Sequence, residues 1–120
     1  MIRVAIESPY AASADHSVTD HTEYARAAML DCLNRGEAPF ASHLLYTQHG
    51  VLDDGVPKER DIGVRAGLSM SESCEMTAVY YDLGISHGMR CGIEAASAVG
   101  RRIEFRSILD TGLSCRLHQD

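Results

Sequence analysis

The sequence predicts an α/β domain: a short, mainly parallel sheet of four to five strands with helices on both sides. β-rich runs near residues 3–7, 76–81 and 102–106 alternate with stretches of helical spacing, the signature of repeated βαβ units. The run Met76-Thr77-Ala78-Val79-Tyr80-Tyr81 has no polar alternation, as expected of a parallel strand covered on both faces. The connections are short, which suits right-handed crossovers.

The first strand, 3–7, is closed by Ser8-Pro9-Tyr10, where proline removes a ladder donor. Residues 11–18 are small and polar without periodicity and read as a mobile loop. Thr19 or Asp20 then offers a helix cap, with Glu23 placed as in a capping box. The helix is expected over 21–35, because Tyr24, Ala25, Ala28, Met29, Cys32 and Leu33 repeat at three-four spacing and Gly36 follows as a stop. Residues 38–42 form a brief second strand that leads into a connection rich in ligand-capable side chains. Pro57 suits the first position of a second helix running to about Ser73. Inside it Gly63 and Gly67 each cost roughly 1 kcal/mol of helix propensity; close packing of another backbone and chance are nearly equal explanations. After the 76–81 strand, a third helix over 86–99 is stopped by Gly100, and Arg102-Ile103-Glu104-Phe105-Arg106 alternates as a final edge strand. Residues 1–108 make one domain, since 120 residues fit a single core; 109–120 read as a polar tail.

Composition narrows the function classes. Hydrophobic residues make up 45% and charged residues 23%, an ordinary globular balance. The formal net charge is −6 with no Lys/Arg cluster, so the footprint needed to neutralise polymeric nucleic acid is missing. A small phosphate ester remains compatible, because a helix N-terminus and loop amides can hold one. Apolar stretches fall well short of a membrane span and the start lacks a signal-peptide layout, so a cytoplasmic protein without a membrane partner is expected. Cys32, Cys74, Cys91 and Cys115 lie far apart without a C-x-x-C pair, and read as reduced thiols rather than metal ligands. Adjacent Asp53 and Asp54 diverge and lack a third ligand, so no metal and no cofactor is expected.

Ligands of open α/β sheets sit beyond the carboxyl ends of the strands, where strand order reverses. Three loops converge there: Ser8-Pro9-Tyr10, then Ser42-His43-Leu44-Leu45-Tyr46, then the stretch from Asp82 through Gly84, Ser86, Gly88 and Met89. Gly84 and Gly88 flank Ser86 at a helix start, where free amides and a hydroxyl can face phosphate or ribose oxygens. Asp82 could instead accept ribose hydroxyls. Gly84-x-Ser86-x-Gly88 is also similar to a hydrolase nucleophile elbow, but so short a chain lacks the later elements that carry the acid and histidine. His43 and His87 could act as bases or phosphate donors, although plain hydrogen bonding is the commoner role of loop histidines. Tyr10 and Tyr46 are aromatics on polar loops and read either as stacking contacts for a base or as caps on the core, with ligand contact slightly favoured.

The series Ser8-Pro9-Tyr10, Ala38-Pro39-Phe40-Ala41-Ser42-His43-Leu44-Leu45-Tyr46, Asp53-Asp54 with Pro57 and Glu59-Arg60, Ser86-x-Gly88-Met89 and Ala96-x-x-x-Gly100 resembles the small nucleoside 2-deoxyribosyltransferase-like proteins of bacteria and their phages. The resemblance spans about residues 2 to 106. It implies a flavodoxin/Rossmann-like three-layer sandwich, a nucleoside or nucleotide pocket at these loops, and a homo-oligomer in which a neighbouring subunit completes the pocket. In that family a glutamate on the helix after S-x-G-M attacks the anomeric carbon, and here that position is Gly92. Glu94, two residues on, points about 200° away around the helix. The first expectation is therefore a nucleotide-binding protein on a scaffold without its nucleophile, of the kind that could sequester a nucleotide signal in a phage setting. The alternative is an N-glycosidic hydrolase or transferase using Asp82 or Glu94. A purely structural role is a third reading.

Overall fold

The computed structural model describes residues 1–109. Eight elements follow one another: β1 (Arg3–Glu7), α1 (Val18–Asn34), β2 (Ala38–Phe40), α2 (Ser42–Leu45), α3 (Pro57–Ser71), β3 (Met76–Tyr80), α4 (His87–Ala98) and β4 (Arg102–Arg106). The four strands form one parallel sheet in the order β2-β1-β3-β4. The chain leaves β1 for β2 on one side and then returns across β1 to β3, so strand order reverses between the two central strands.

Side-chain alternation decides which layer each strand residue meets. Val4 and Ile6 of β1 and Met76, Ala78 and Tyr80 of β3 pack with Tyr24, Ala28 and Cys32 of α1 in one core cluster. Ala5 and Glu7 therefore face the opposite layer, made by α3 and α4. All five β3 residues are buried, which matches the unalternating run. β4 is an edge strand as expected, but its alternation is inverted: Phe105 is exposed and Arg106 is buried. The Arg106 guanidinium is held by both carboxylate oxygens of Glu37 at 2.7 Å.

The helix limits also differ in instructive ways. α1 starts three residues earlier than expected, because Ser17 caps it and Asp20 closes the capping box; part of the segment read as a loop is helix. β2 ends at Phe40, and Ser42–Leu45 form a single helical turn. Gly63 and Gly67 have a packing reason. A Cβ at Gly67 would meet the Ser42 side chain at 2.7 Å, and one at Gly63 would meet Leu52 at 3.3 Å, so both glycines admit the 42–52 connection against α3. What approaches is side chain rather than backbone. Among the described residues Cys32 is buried while Cys74 and Cys91 are partly buried free thiols; Cys115 and most of the 109–120 tail lie outside them. No helix of the described residues is long and apolar enough to cross a membrane.

Candidate functional site

At the carboxyl end of β1, beside the end of β2 at Phe40, a cleft of about 160 Å³ opens, walled by α2, α3 and the start of α4. It adjoins a broader, more open basin of about 990 Å³ over the 47–55 loop; the two share Tyr10, Ala11, Asp54 and Arg60. The smaller cleft is the chemically rich one, because it gathers polar groups at the strand-order reversal.

Of the residues expected from sequence, Ser8, Tyr10, Ser42, His43, Ser86, Gly88 and Met89 line this cleft together. Ser8 Oγ shares a hydrogen bond with His43 Nε2 at 2.7 Å. Burial pushes the His43 imidazole down to about 4, so it is neutral at physiological pH and its bond to Ser8 is between uncharged groups. Ser86 is the N-cap of α4 and its hydroxyl accepts from Met89 N. That bond takes one lone pair of the hydroxyl and leaves its O–H able to donate, while the first two amides of α4, at His87 and Gly88, have no partner within the helix.

The other expected residues lie elsewhere. Pro9 is buried and Gly84 forms a turn at φ 97°; neither lines the cleft. Tyr46 packs edge-on against Phe40, with ring centroids 6.4 Å apart, and borders a separate recess of about 70 Å³. The expectation for Asp82 is corrected. Its carboxylate accepts from Tyr24 Oη at 2.6 Å, from Ser107 Oγ and from Ile108 N at 2.9 Å. Partial burial pushes this carboxyl up, but the bonds from Ser107, Tyr24 and the Ile108 amide outweigh it and hold it below the usual range. Asp82 thus fastens the end of β3 to α1 and to the segment after β4. Glu94 is exposed and does not line the cleft, so neither carboxylate assigned from sequence reaches it.

Two carboxylates do line it, Asp54 of the 47–55 loop and Glu7, the last residue of β1. The Glu7 side chain lies against Gly92 so closely that a Cβ built there would overlap the carboxyl group, with even the farther oxygen at 2.8 Å. Burial pushes Glu7 up to about 8, opposed in part by the Arg101 charge. The signal was present in β1, where Glu7 shares the parity of Ala5 and so must enter the α3/α4 layer. Read together with a glycine on α4, that parity points to a carboxyl filling the space that a helix side chain would otherwise take. Two further residues were missed. Arg60 of α3 brings a positive charge to the cleft. His21, buried in α1, directs Nδ1 at the carbonyls of Tyr10 and Ala11 at 3.2 and 3.0 Å and so fixes the loop after β1; the tautomer with hydrogen on Nδ1 is required.

Among the described residues no group of three or more His, Cys, Asp or Glu is arranged to hold a metal ion. No curated protein matches the chain. A solved structure of a 2-deoxyribosyltransferase from the psychrotolerant bacterium Bacillus psychrosaccharolyticus, described as a biocatalyst for nucleoside synthesis, shares the fold. Its TM-score is 0.66 at 14% identity, covering 88% of this chain and 72% of that one. The family model described as "domain of unknown function (DUF7768)" matches residues 2–106, and the chain belongs to that family.

Proposed function

We propose that the cleft beyond β1 binds a nucleoside or nucleotide. The observation that carries this reading is the convergence of Ser8, His43, Tyr10, Arg60 and the first amides of α4 on one concavity at the strand-order reversal. Uncharged hydroxyl and imidazole groups suit sugar hydroxyls, the Tyr10 ring suits a base face, and Arg60 with the α4 dipole suits a phosphate. The shared fold of a 2-deoxyribosyltransferase gives independent support. With Gly92 at the position that the family resemblance assigns to the nucleophile, that position supplies no covalent glycosyl intermediate.

Titration calorimetry with a panel of nucleosides and 5′-nucleotides tests the reading. Saturable one-to-one binding is expected, weakened about tenfold or more by Tyr10→Ala and, for nucleotides only, by Arg60→Ala. Absence of binding across the panel, or affinities untouched by both variants, refutes it.

A further inference from the structure

We propose that Ser8 and His43 form a nucleophile–base dyad that removes an acyl group from a sugar hydroxyl of the nucleoside or nucleotide held in this cleft, a role resting on the binding reading above. Ser8 directly follows β1 and His43 lies in α2, just beyond the neighbouring strand β2, so the paired strand ends bring the two side chains together. Their contact, Oγ to Nε2 at 2.7 Å, is within the range over which an imidazole takes a hydroxyl proton. Both residues line the cleft, although little of Ser8 is open to bulk water. The base role requires the tautomer with hydrogen on Nδ1, which leaves the Nε2 lone pair to accept from the hydroxyl. The Thr47 hydroxyl donates to the His43 carbonyl and steadies the turn that carries the ring.

Attack on a carbonyl also needs donors for the oxygen that becomes negative. The start of α4 brings them to the same cleft. The amides of His87 and Gly88 donate to no described residue, and the positive end of the α4 dipole lies behind them. A nucleophile, a base in contact with it and a pair of free helix-terminal amides on one concavity form the constellation of acyl transfer. The other ionisable groups that line the cleft are Glu7, Asp54, Arg60, His87 and Cys91. Burial keeps His43 neutral at physiological pH, so its lone pair is available, and negative charge developing on the carbonyl oxygen favours the imidazolium that forms. The leaving group follows from the binding reading, which sets a sugar oxygen beside the uncharged hydroxyl and imidazole.

The Ser8 Oγ–C bond forms as the hydroxyl proton passes to His43 Nε2 and the carbonyl electron pair moves onto its oxygen. That pair returns as the C–O bond to the sugar breaks, and the sugar oxygen takes the proton from His43. Water then attacks the seryl ester with His43 again as base, which releases a carboxylic acid and restores Ser8. Water is the only co-reactant.

Two measurements on the full chain test the dyad, with calorimetry on the nucleoside and nucleotide panel as the check on binding. An alkyl fluorophosphonate probes the nucleophile, since fluoride leaves phosphorus as the Ser8 Oγ–P bond forms. Mass spectrometry should find a single adduct at Ser8, absent from Ser8→Ala, formed roughly 10²–10⁴-fold more slowly by His43→Asn, and suppressed by excess nucleoside. Chromatography then follows O-acetyl nucleosides, from which the wild type should release acetate and nucleoside in equal amounts, with kcat lowered at least about 10³-fold by Ser8→Ala. Both variants should bind unacylated nucleoside within about tenfold of the wild type, as expected when one neutral hydrogen bond is lost from an intact fold. Failure of the wild type to bind any member of the panel sinks the binding reading and the dyad with it. Binding with the acetyl esters recovered intact, labelling at another residue, or labelling and turnover undiminished in either variant overturns the dyad alone and leaves a binding cleft. Phosphate released from nucleotides by the wild type but not by Ser8→Ala, with no release of acetate, would make phosphorus the centre attacked and overturn the acyl assignment.

Discussion

Glycine inside a helix ordinarily reads as a weakness, and replacing it with alanine ordinarily adds about 1 kcal/mol of helix propensity. At Gly92 the opposite sign is expected, because a Cβ there overlaps the Glu7 carboxyl. Overpacking of this kind costs about 1–3 kcal/mol and outweighs the propensity gain. Gly92→Ala should therefore lower stability by about 1–2 kcal/mol, and combining it with Glu7→Ala should remove that penalty, giving a coupling of at least about 1 kcal/mol. Urea denaturation of the four chains of this double-mutant cycle measures it; a stabilised Gly92→Ala single variant would mean that the carboxyl lies elsewhere. At this scale the sequence was half legible. That residue 92 bears no side chain is plain from the sequence, but the carboxyl packed against it stands 85 positions earlier in the chain, and only the sheet brings the two together. Asp82 failed for the converse reason: a carboxylate after a strand looks like a ligand contact until Tyr24, Ser107 and Ile108 consume its lone pairs.

Among the elements, the strands and helices whose apolar periodicity is strong, α1 and β3 above all, are where sequence and structure agree. β4 shows the limit of the rule. Arg102-Ile103-Glu104-Phe105-Arg106 alternates as a half-solvated strand should, yet Arg106 turns inward, with its side chain 3% exposed against 12% for Glu37. Tyr80 Oη joins them, accepting from Arg106 at 3.0 Å and donating to Asp31 at 2.7 Å. This network ties β4 to β3, to the end of α1 and to the entry of β2. Removing one member of a buried pair strands the other charge, at a cost of about 3–5 kcal/mol. Arg106→Met should destabilise by that amount, whereas Arg106→Met with Glu37→Met should recover most of it. The exposed Arg3–Glu75 pair, 61% and 42% accessible, provides the contrast, since its loss should cost under about 1 kcal/mol. Denaturant midpoints for these variants decide between a structural ion pair and one that contributes little.

For the whole molecule, the parallel sheet was legible because it follows from the alternation of elements and the crossover rule, whereas the strand order that places the reversal beside β1 came only from the structure. The electrostatic character of the cleft was not legible either, because burial belongs to the assembled layers rather than to any segment. That character governs stability against pH. Glu7 is raised from 4.5 to about 8; between those values the folded chain retains a proton that the unfolded chain has released, so stability falls as pH rises, by about 1.4 kcal/mol per unit. His43 is lowered from 6.5 to about 4, so the unfolded chain holds the extra proton and stability rises with pH over that window, by the same slope. From about pH 4.5 to 6.5 the two slopes cancel, and from 6.5 to 8 only the Glu7 loss remains. The wild type should thus lose about 2 kcal/mol between pH 6.5 and 8. Glu7→Gln should abolish that decline and instead gain stability from pH 4.5 to 6.5, where the His43 slope stands uncompensated. Denaturation free energies at half-unit intervals across pH 4.5–8.5 measure both curves; identical profiles for the two chains would show that the Glu7 carboxyl ionises in the folded protein as readily as in the unfolded one, and would remove the basis for treating it as a protonated acid at neutral pH.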